Sequence, residues 1–177
     1  MNTIGLTEIL LIEDNPDESK LIAKILDKNT SNIHITQIED GLNAINYLNK
    51  KDAYKNCKTP SLILLDLNLP GKDGREVLKE IKTDDQLKHI PVIVLTNSDD
   101  DNDILKSYEH YANAYITKST NFDEFNKDIE VFKEYWLNNA ILPLFKDSNW
   151  FLNTIFFACF SIFLFNNCAN LVDAVIS

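Results

Sequence analysis

The stretch TEILLIEDNPDESKLIAKIL, Thr7 to Leu26, decides the fold. Ile9 to Ile12 form a continuous apolar run, so residues 8–12 read as a short strand buried on both faces. Asn15 then suits a helix N-cap, Pro16 the first helical position, and Glu18 the third position of a capping box. Leu21, Ile22, Ile25 and Leu26 follow at helical spacing. Strand, turn and helix within 20 residues are the opening of an α/β unit. Of the four acids packed into the turn, Asp17 and Glu18 read as first-turn residues favoured by the helix dipole. Glu13 and Asp14 are left to explain.

The alternation continues along the chain. Ile33–Ile38 reads as a strand, and Leu42, Ile45 and Leu48 form a helical stripe. A polar stretch, Asn49–Pro60, leads to the apolar strand Ser61–Asp66. Gly74–Ile81 is helical, with Val77, Leu78 and Ile81 inward. Pro91–Leu95 is a buried strand, followed by a helix near Ile104–Glu109, a short strand Ala114–Thr117 and a long helix from Asn121 to Asn138. Five strands alternating with five helices predict a doubly wound parallel sheet. In the last helix Phe122, Phe125, Ile129, Phe132 and Trp136 make one stripe, which suits either core packing or a dimer seam. Val131 and Tyr135 lie off it and predict a second, partly exposed apolar patch.

Composition narrows the function. The chain is 45% apolar and 25% charged, as in ordinary globular proteins, and its net charge of −10 argues against binding nucleic acid. Cys57, Cys159 and Cys168 are odd in number and widely spaced, which suggests reduced thiols and a cytoplasmic location. The opening MNTIGLTE has neither the basic nor the apolar segment of a secretory leader. His34, His89 and His110 lack metal-ligand spacing and read as structural or surface residues.

In an open parallel sheet, ligands bind beyond the carboxyl ends of the strands. The first strand ends in Glu13 and Asp14, the third in Asp66, the fourth in Thr96 and the fifth in Thr117-Lys118. Three carboxylates, a hydroxyl and an ammonium therefore converge. Mg2+ prefers one or two carboxylates with phosphate oxygens and waters, and it relieves the repulsion among the acids. An aspartate can attack a phosphoryl group to give an acyl phosphate, and the charge on the transferring oxygens must then be neutralised. Lys118 is suited to supply part of that charge and Thr96 a hydrogen bond.

These motifs resemble the receiver domain of two-component response regulators over residues Glu8 to Asn138. The carriers are ILLIEDNP, LILLDLNLPGKDG, PVIVLTNS and AYITKS. The resemblance implies a flavodoxin-like five-stranded sheet of order 2-1-3-4-5 with Asp66 as phosphoacceptor. Mg2+ would be bound by Asp14, Asp66 and the backbone carbonyl of Asn68, with Glu13 acting through a coordinated water. Thr96 and Lys118 would contact the phosphoryl group, and Tyr115 would be the aromatic switch residue. The implied partner is a sensor histidine kinase docking on the first helix, with output by protein contact or onward phosphotransfer, or by homodimerisation through the fourth-helix to fifth-helix face. The insert before the third strand, HIPVIVLTNS, NAYITKS and EFNKDIEVFKEYWLNNAILP resemble more narrowly the small regulators that accompany cyanobacterial phytochromes. Ser119 stands where most receivers place a proline, and Asn97 is larger than the usual residue and is expected to narrow access to Asp66.

Other readings fit less well. A haloacid-dehalogenase-type phosphatase needs a second aspartate where Asn68 stands. A nucleotide- or flavin-binding domain needs a phosphate-cradling loop, and EDNPDE is acidic and lacks glycine. A phosphorylation-independent interaction module is the alternative that stays open. Beyond a boundary near Asp147, the tail 148–177 is apolar, and Trp150–Phe165 holds thirteen apolar residues in sixteen. That run falls short of the about 20 residues of a spanning helix. A membrane anchor, a buried interaction segment and a tail with no selected role all remain open, and no output domain is recognisable there.

Overall fold

The computed structural model describes residues 6–28, 30, 32–143 and 145. The elements alternate: β1 (Thr7–Ile12), α1 (Pro16–Asp27), β2 (Ile33–Ile38), α2 (Gly41–Leu48), β3 (Leu62–Leu65), α3 (Gly74–Thr83), β4 (Val92–Thr96), α4 (Asp101–Glu109), β5 (Ala114–Thr117) and α5 (Phe122–Lys133). The strands form one parallel sheet in the order β2-β1-β3-β4-β5, the doubly wound fold expected. Register puts Ile12 beside Leu65, and Leu65 beside Val94, so the strands end at a common level.

The continuous apolar runs are explained by burial on both faces. Leu10, Ile12, Ile63, Leu65, Val92 and Val94 pack with α2 and α3 on one side of the sheet. Their neighbours Ile9, Leu11, Leu62, Leu64, Ile93 and Leu95 pack with α1 and α5 on the other. This is the period-two alternation of a strand, with an apolar layer on each side. Val77, Leu78 and Ile81 are buried, as their spacing predicts.

Three details differ from the sequence reading. The fourth helix begins at Asp101 rather than near Ile104, because Asp100 caps it by accepting from the N–H groups of Asn102 at 2.8 Å and Asp103 at 3.3 Å. The fifth helix is α-helical only to Lys133 and continues as a π-type turn over Glu134–Asn139. Phe125, Ile129 and Phe132 enter the core and Trp136 packs partly against it, but Phe122 is exposed, so the stripe is core packing except at its first residue. Val131 and Tyr135 are exposed as expected, at 61% and 60%. The polar insert carries a single 3-10 turn, Asp52–Tyr54. The expectations for the boundary at Asp147, the tail 148–177 and the run Trp150–Phe165 lie outside the described residues. Among the described residues no helix is long and apolar enough to cross a membrane.

Candidate functional site

The site lies where β1, β3, β4 and β5 end. Glu13 is 2% exposed, Asp66 4%, Lys118 6% and Thr96 0%, whereas Asp14 faces solvent. Glu13 continues the inward run of β1, with its N–H donating to the Ile38 carbonyl at 2.9 Å, and Asp14, one residue on, stands at the solvent side of the same group of acids. Asp66 is fixed directly after β3 by its own N–H donating to the Ile12 carbonyl at 3.0 Å. Behind it, a Cβ on Gly74 would stand 2.1 Å from the Asp66 carbonyl oxygen, so only glycine allows α3 to start this close.

Lys118 organises the buried acids. Its Nζ donates to Asp66 Oδ2 at 2.8 Å, to Glu18 Oε2 at 2.7 Å and to Glu13 Oε2 at 2.5 Å. An ammonium has three N–H donors, and here each has its own carboxylate. Burial opposes ionisation of Asp66, but Lys118, the Asn68 N–H and Thr96 together hold its carboxyl below the usual range. For Glu13 burial wins, and its carboxyl is pushed up despite Lys118. Burial would depress Lys118, yet the three carboxylates hold it above the ordinary lysine value. The pocket therefore keeps Asp66 an anion and Lys118 a cation at neutral pH.

The donor set fits a hard divalent cation. Glu13, Asp14 and Asp66 each present one carboxylate oxygen, all within 4.8 Å of one another, with no nitrogen or sulfur among them. Asn68 donates its backbone N–H to Asp66 Oδ1 at 3.0 Å, and its side-chain amide reaches Thr96 Oγ1 at 3.5 Å. Tyr115 donates its hydroxyl to the Ser98 carbonyl at 2.9 Å, which ties it to the loop that follows Thr96. Glu13, Asp14, Asp66, Asn68, Thr96 and Lys118 thus fall in one cluster, and Tyr115 is linked to it through Ser98.

The two family departures have local explanations. Ser119 accepts from the Asn121 N–H at 3.1 Å and donates to Glu124 Oε2 at 2.8 Å, so hydrogen bonds fix the turn that a proline would otherwise set. Asn97 is exposed and lines a groove of about 380 Å³ beside Lys118, together with Glu18, Thr120 and Phe122. Of the histidines, His34 hydrogen-bonds Glu8 Oε2 through Nδ1 at 2.7 Å, a structural role as expected.

Glu18 corrects the sequence reading. It is a first-turn residue of α1, and its N–H donates to Asn15 Oδ1 at 3.3 Å, but its carboxylate does not close a capping box. The Asn15 N–H donates instead to Glu13 Oε1 at 3.1 Å, while Glu18 accepts from the Asn15 side-chain amide on Oε1 at 3.1 Å and from Lys118 on Oε2. An acid in the first turn directly over the site was the available signal.

The comparisons agree with this geometry. A family model described as "Response regulator receiver domain" matches residues 9–130. The response regulator Rcp1 of Synechocystis sp. is 44% identical over 135 residues, which cover 76% of this chain and 92% of that protein. The Mn2+-bound form of Rcp1 superimposes with a TM-score of 0.76 at 43% identity, covering 78% of this chain and 99% of that one. The phosphorylated cyanobacterial phytochrome response regulator RcpA gives 0.77 at 44% identity, covering 79% of this chain and all of that one, 100%. With its fold, its strand-end carboxylates and these matches in accord, the chain belongs to the response regulator receiver domain family, within its Rcp type.

Proposed function

We propose that this chain is a response regulator that accepts a phosphoryl group from a sensor histidine kinase, a phytochrome in the narrower reading, onto Asp66. One observation carries the proposal. Asp66 is a buried carboxylate held ionised by Lys118 at 2.8 Å, with two further acids beside it. An Asp66 oxygen attacks phosphorus, the P–N bond of phosphohistidine breaks, and the imidazole leaves with the electron pair. Lys118 neutralises charge on the transferring oxygens, and Thr96 donates its hydroxyl to one of them. Asp14, Asp66 and the Asn68 carbonyl would hold Mg2+, with Glu13 reaching it through a water. When bound, the ion supplies the remaining positive charge that the phosphoryl oxygens need.

The acyl phosphate adds charge on Asp66 beside Thr96, which Ser98 links to Tyr115, and this biases the surface of α4, β5 and α5. Leu105, Tyr108, Val131 and Tyr135 are exposed on those helices. Ile116, Val131, Phe132, Tyr135 and Trp136 line a groove of about 290 Å³. Apolar exposure of this kind supports output by protein contact, including a second copy of the chain. The receiver portion spans 1–147 and the apolar tail 148–177.

The test is intact-mass measurement after incubation with Mg2+ and acetyl phosphate, beside Asp66→Asn and a chelator control. The wild type with metal is expected to gain one phosphoryl group, and the other two samples none. A wild type that gains nothing, or an Asp66→Asn variant that gains as much, refutes the assignment.

A further inference from the structure

Outside the carboxylate pocket, one polar network joins α3, the β4–α4 loop, α4 and β5. Arg75, the second residue of α3, donates Nε to Asp103 Oδ1 at 2.7 Å and Nη2 to Asp103 Oδ2, a bidentate pair. Its Nη1 donates to Asp73 Oδ2 at 3.0 Å. Ser98 donates its hydroxyl to the same Asp103 carboxylate at 2.6 Å. The Ser98 carbonyl accepts from Tyr115, and the Ser98 N–H donates to Thr96 Oγ1 at 3.4 Å. Arg75 is rooted firmly, because the preceding Gly74 donates its N–H to the Leu67 carbonyl at 2.8 Å and packs against the Asp66 backbone.

We propose that Arg75 is a positioning residue: through Asp103 it restrains Ser98, and with it Thr96 and Tyr115, against the arrangement that grips a phosphoryl group. This rests on the reading of Asp66 as phosphoacceptor. Thr96 Oγ1 now accepts from the Ser98 N–H and the Asn68 amide. Turning that hydroxyl toward a phosphoryl oxygen on Asp66 shifts the adjoining loop. Ser98 moves with it, and Ser98 is held at its hydroxyl by Asp103 and at its carbonyl by Tyr115. The contact is desolvated enough to matter, with the Asp103 side chain 15% exposed and that of Arg75 31%. Part of the interaction energy of the phosphoryl group therefore goes into displacing a loop anchored on α3. Weakening the anchor raises the population of the competent arrangement and tightens phosphoryl binding.

The experiment titrates the full-length chain with beryllofluoride, an acyl-phosphate mimic, in the presence of Mg2+. Arg75→Gln is expected to bind about tenfold more tightly than wild type, the scale of one charge-assisted hydrogen bond. Arg75→Lys, which keeps the charge but not the fork, falls between them. Arg75→Gln combined with Asp103→Asn binds no tighter than Asp103→Asn alone, since Arg75 acts on Ser98 only through Asp103. Ser98→Ala, which frees the loop while leaving the ion pair intact, tightens binding as well and serves if Arg75→Gln fails to fold. Mg2+ affinity without beryllofluoride stays unchanged. With fluorotyrosine incorporated, the Tyr115 resonance of free Arg75→Gln moves toward its position in bound wild type. Folded variants that bind as wild type does, or more weakly, overturn the proposal. A wild type that does not bind beryllofluoride overturns the phosphoacceptor reading and this proposal with it.

Discussion

Replacing Lys118 by methionine separates the two roles that its charge plays. The change keeps most of the side-chain volume but leaves Glu13, Asp66 and Glu18 without their shared cation. The side chains of Lys118, Glu13 and Asp66 are 3%, 2% and 5% exposed, so water cannot take the place of the ammonium. Removing one partner from such a buried pair costs about 3–5 kcal/mol. With an m value of about 1–3 kcal/mol/M in urea, the midpoint falls by roughly 1–5 M. The loss depends on metal, because Glu13 and Asp66 are also two of the three clustered carboxylates. Two unit charges about 4 Å apart repel by roughly 1–4 kcal/mol between the dielectric limits of water and protein surface. The variant is therefore expected to bind Mg2+ about fivefold to several-hundredfold more tightly, and its deficit narrows by the same free energy when Mg2+ is added. Urea unfolding in chelator and in Mg2+, with direct Mg2+ titration, reads the effect twice. A deficit under 1 kcal/mol in chelator, or one indifferent to Mg2+, refutes the electrostatic account.

Three other changes test separate parts of the site. Glu18→Gln removes a partner whose side chain is 30% exposed, so the loss is expected to stay near about 1 kcal/mol with Mg2+ affinity unchanged, by urea unfolding and titration. Asp103 is held at about 2, below the usual 3.8, by Arg75 and Ser98. Its contribution is complete above pH 4 and lost as pH falls toward 2, so the stability gap between wild type and Asp103→Asn, about 2 kcal/mol at neutral pH, should close over that window. Gly74→Ala drives a methyl group onto the Asp66 backbone carbonyl, 2.1 Å from the ideal Cβ, and is expected to cost about 3 kcal/mol or more in thermal unfolding. A tolerated alanine there means that α3 shifts without strain.

Much of the fold was legible because it is written in main-chain patterns. The two-faced burial of Ile9–Ile12, Leu62–Leu65 and Val92–Leu95 appears as unbroken apolar runs, and the N-cap at Asn15 as a local motif. Strand ends meet in this fold, so Glu13, Asp14, Asp66, Thr96 and Lys118 could be grouped before any distance was known. The start of α4 was obscured because Asp99, Asp100 and Asp101 resemble a solvated acidic run, although Asp100 is a cap. The end of α5 was obscured because the three-four spacing through Trp136 persists while the coil widens to a π turn. The contacts of Glu18 with Lys118 and of Arg75 with Asp103 join side chains 100 and 28 residues apart. No local period encodes pairs of that kind.

Those long-range contacts bear on how the pocket can respond. Lys118 has three N–H donors and all three are taken, so a contact with an incoming phosphoryl oxygen requires it to release one carboxylate. Releasing Glu13 leaves an acid that is 2% exposed without a hydrogen-bond donor from Lys118, at the cost of an unpaired buried charge. Asp66 is the group whose oxygen would itself be bonded to the phosphorus. Glu18, at 30% exposed, can be satisfied by water once it is let go. It is the partner whose release is least costly, and it stands on α1, at the rim of the groove beside Lys118. Phosphorylation at the strand ends would thereby free a carboxylate on the helix where a kinase is expected to dock, and a negative charge newly exposed there opposes renewed approach of a phosphorylated donor.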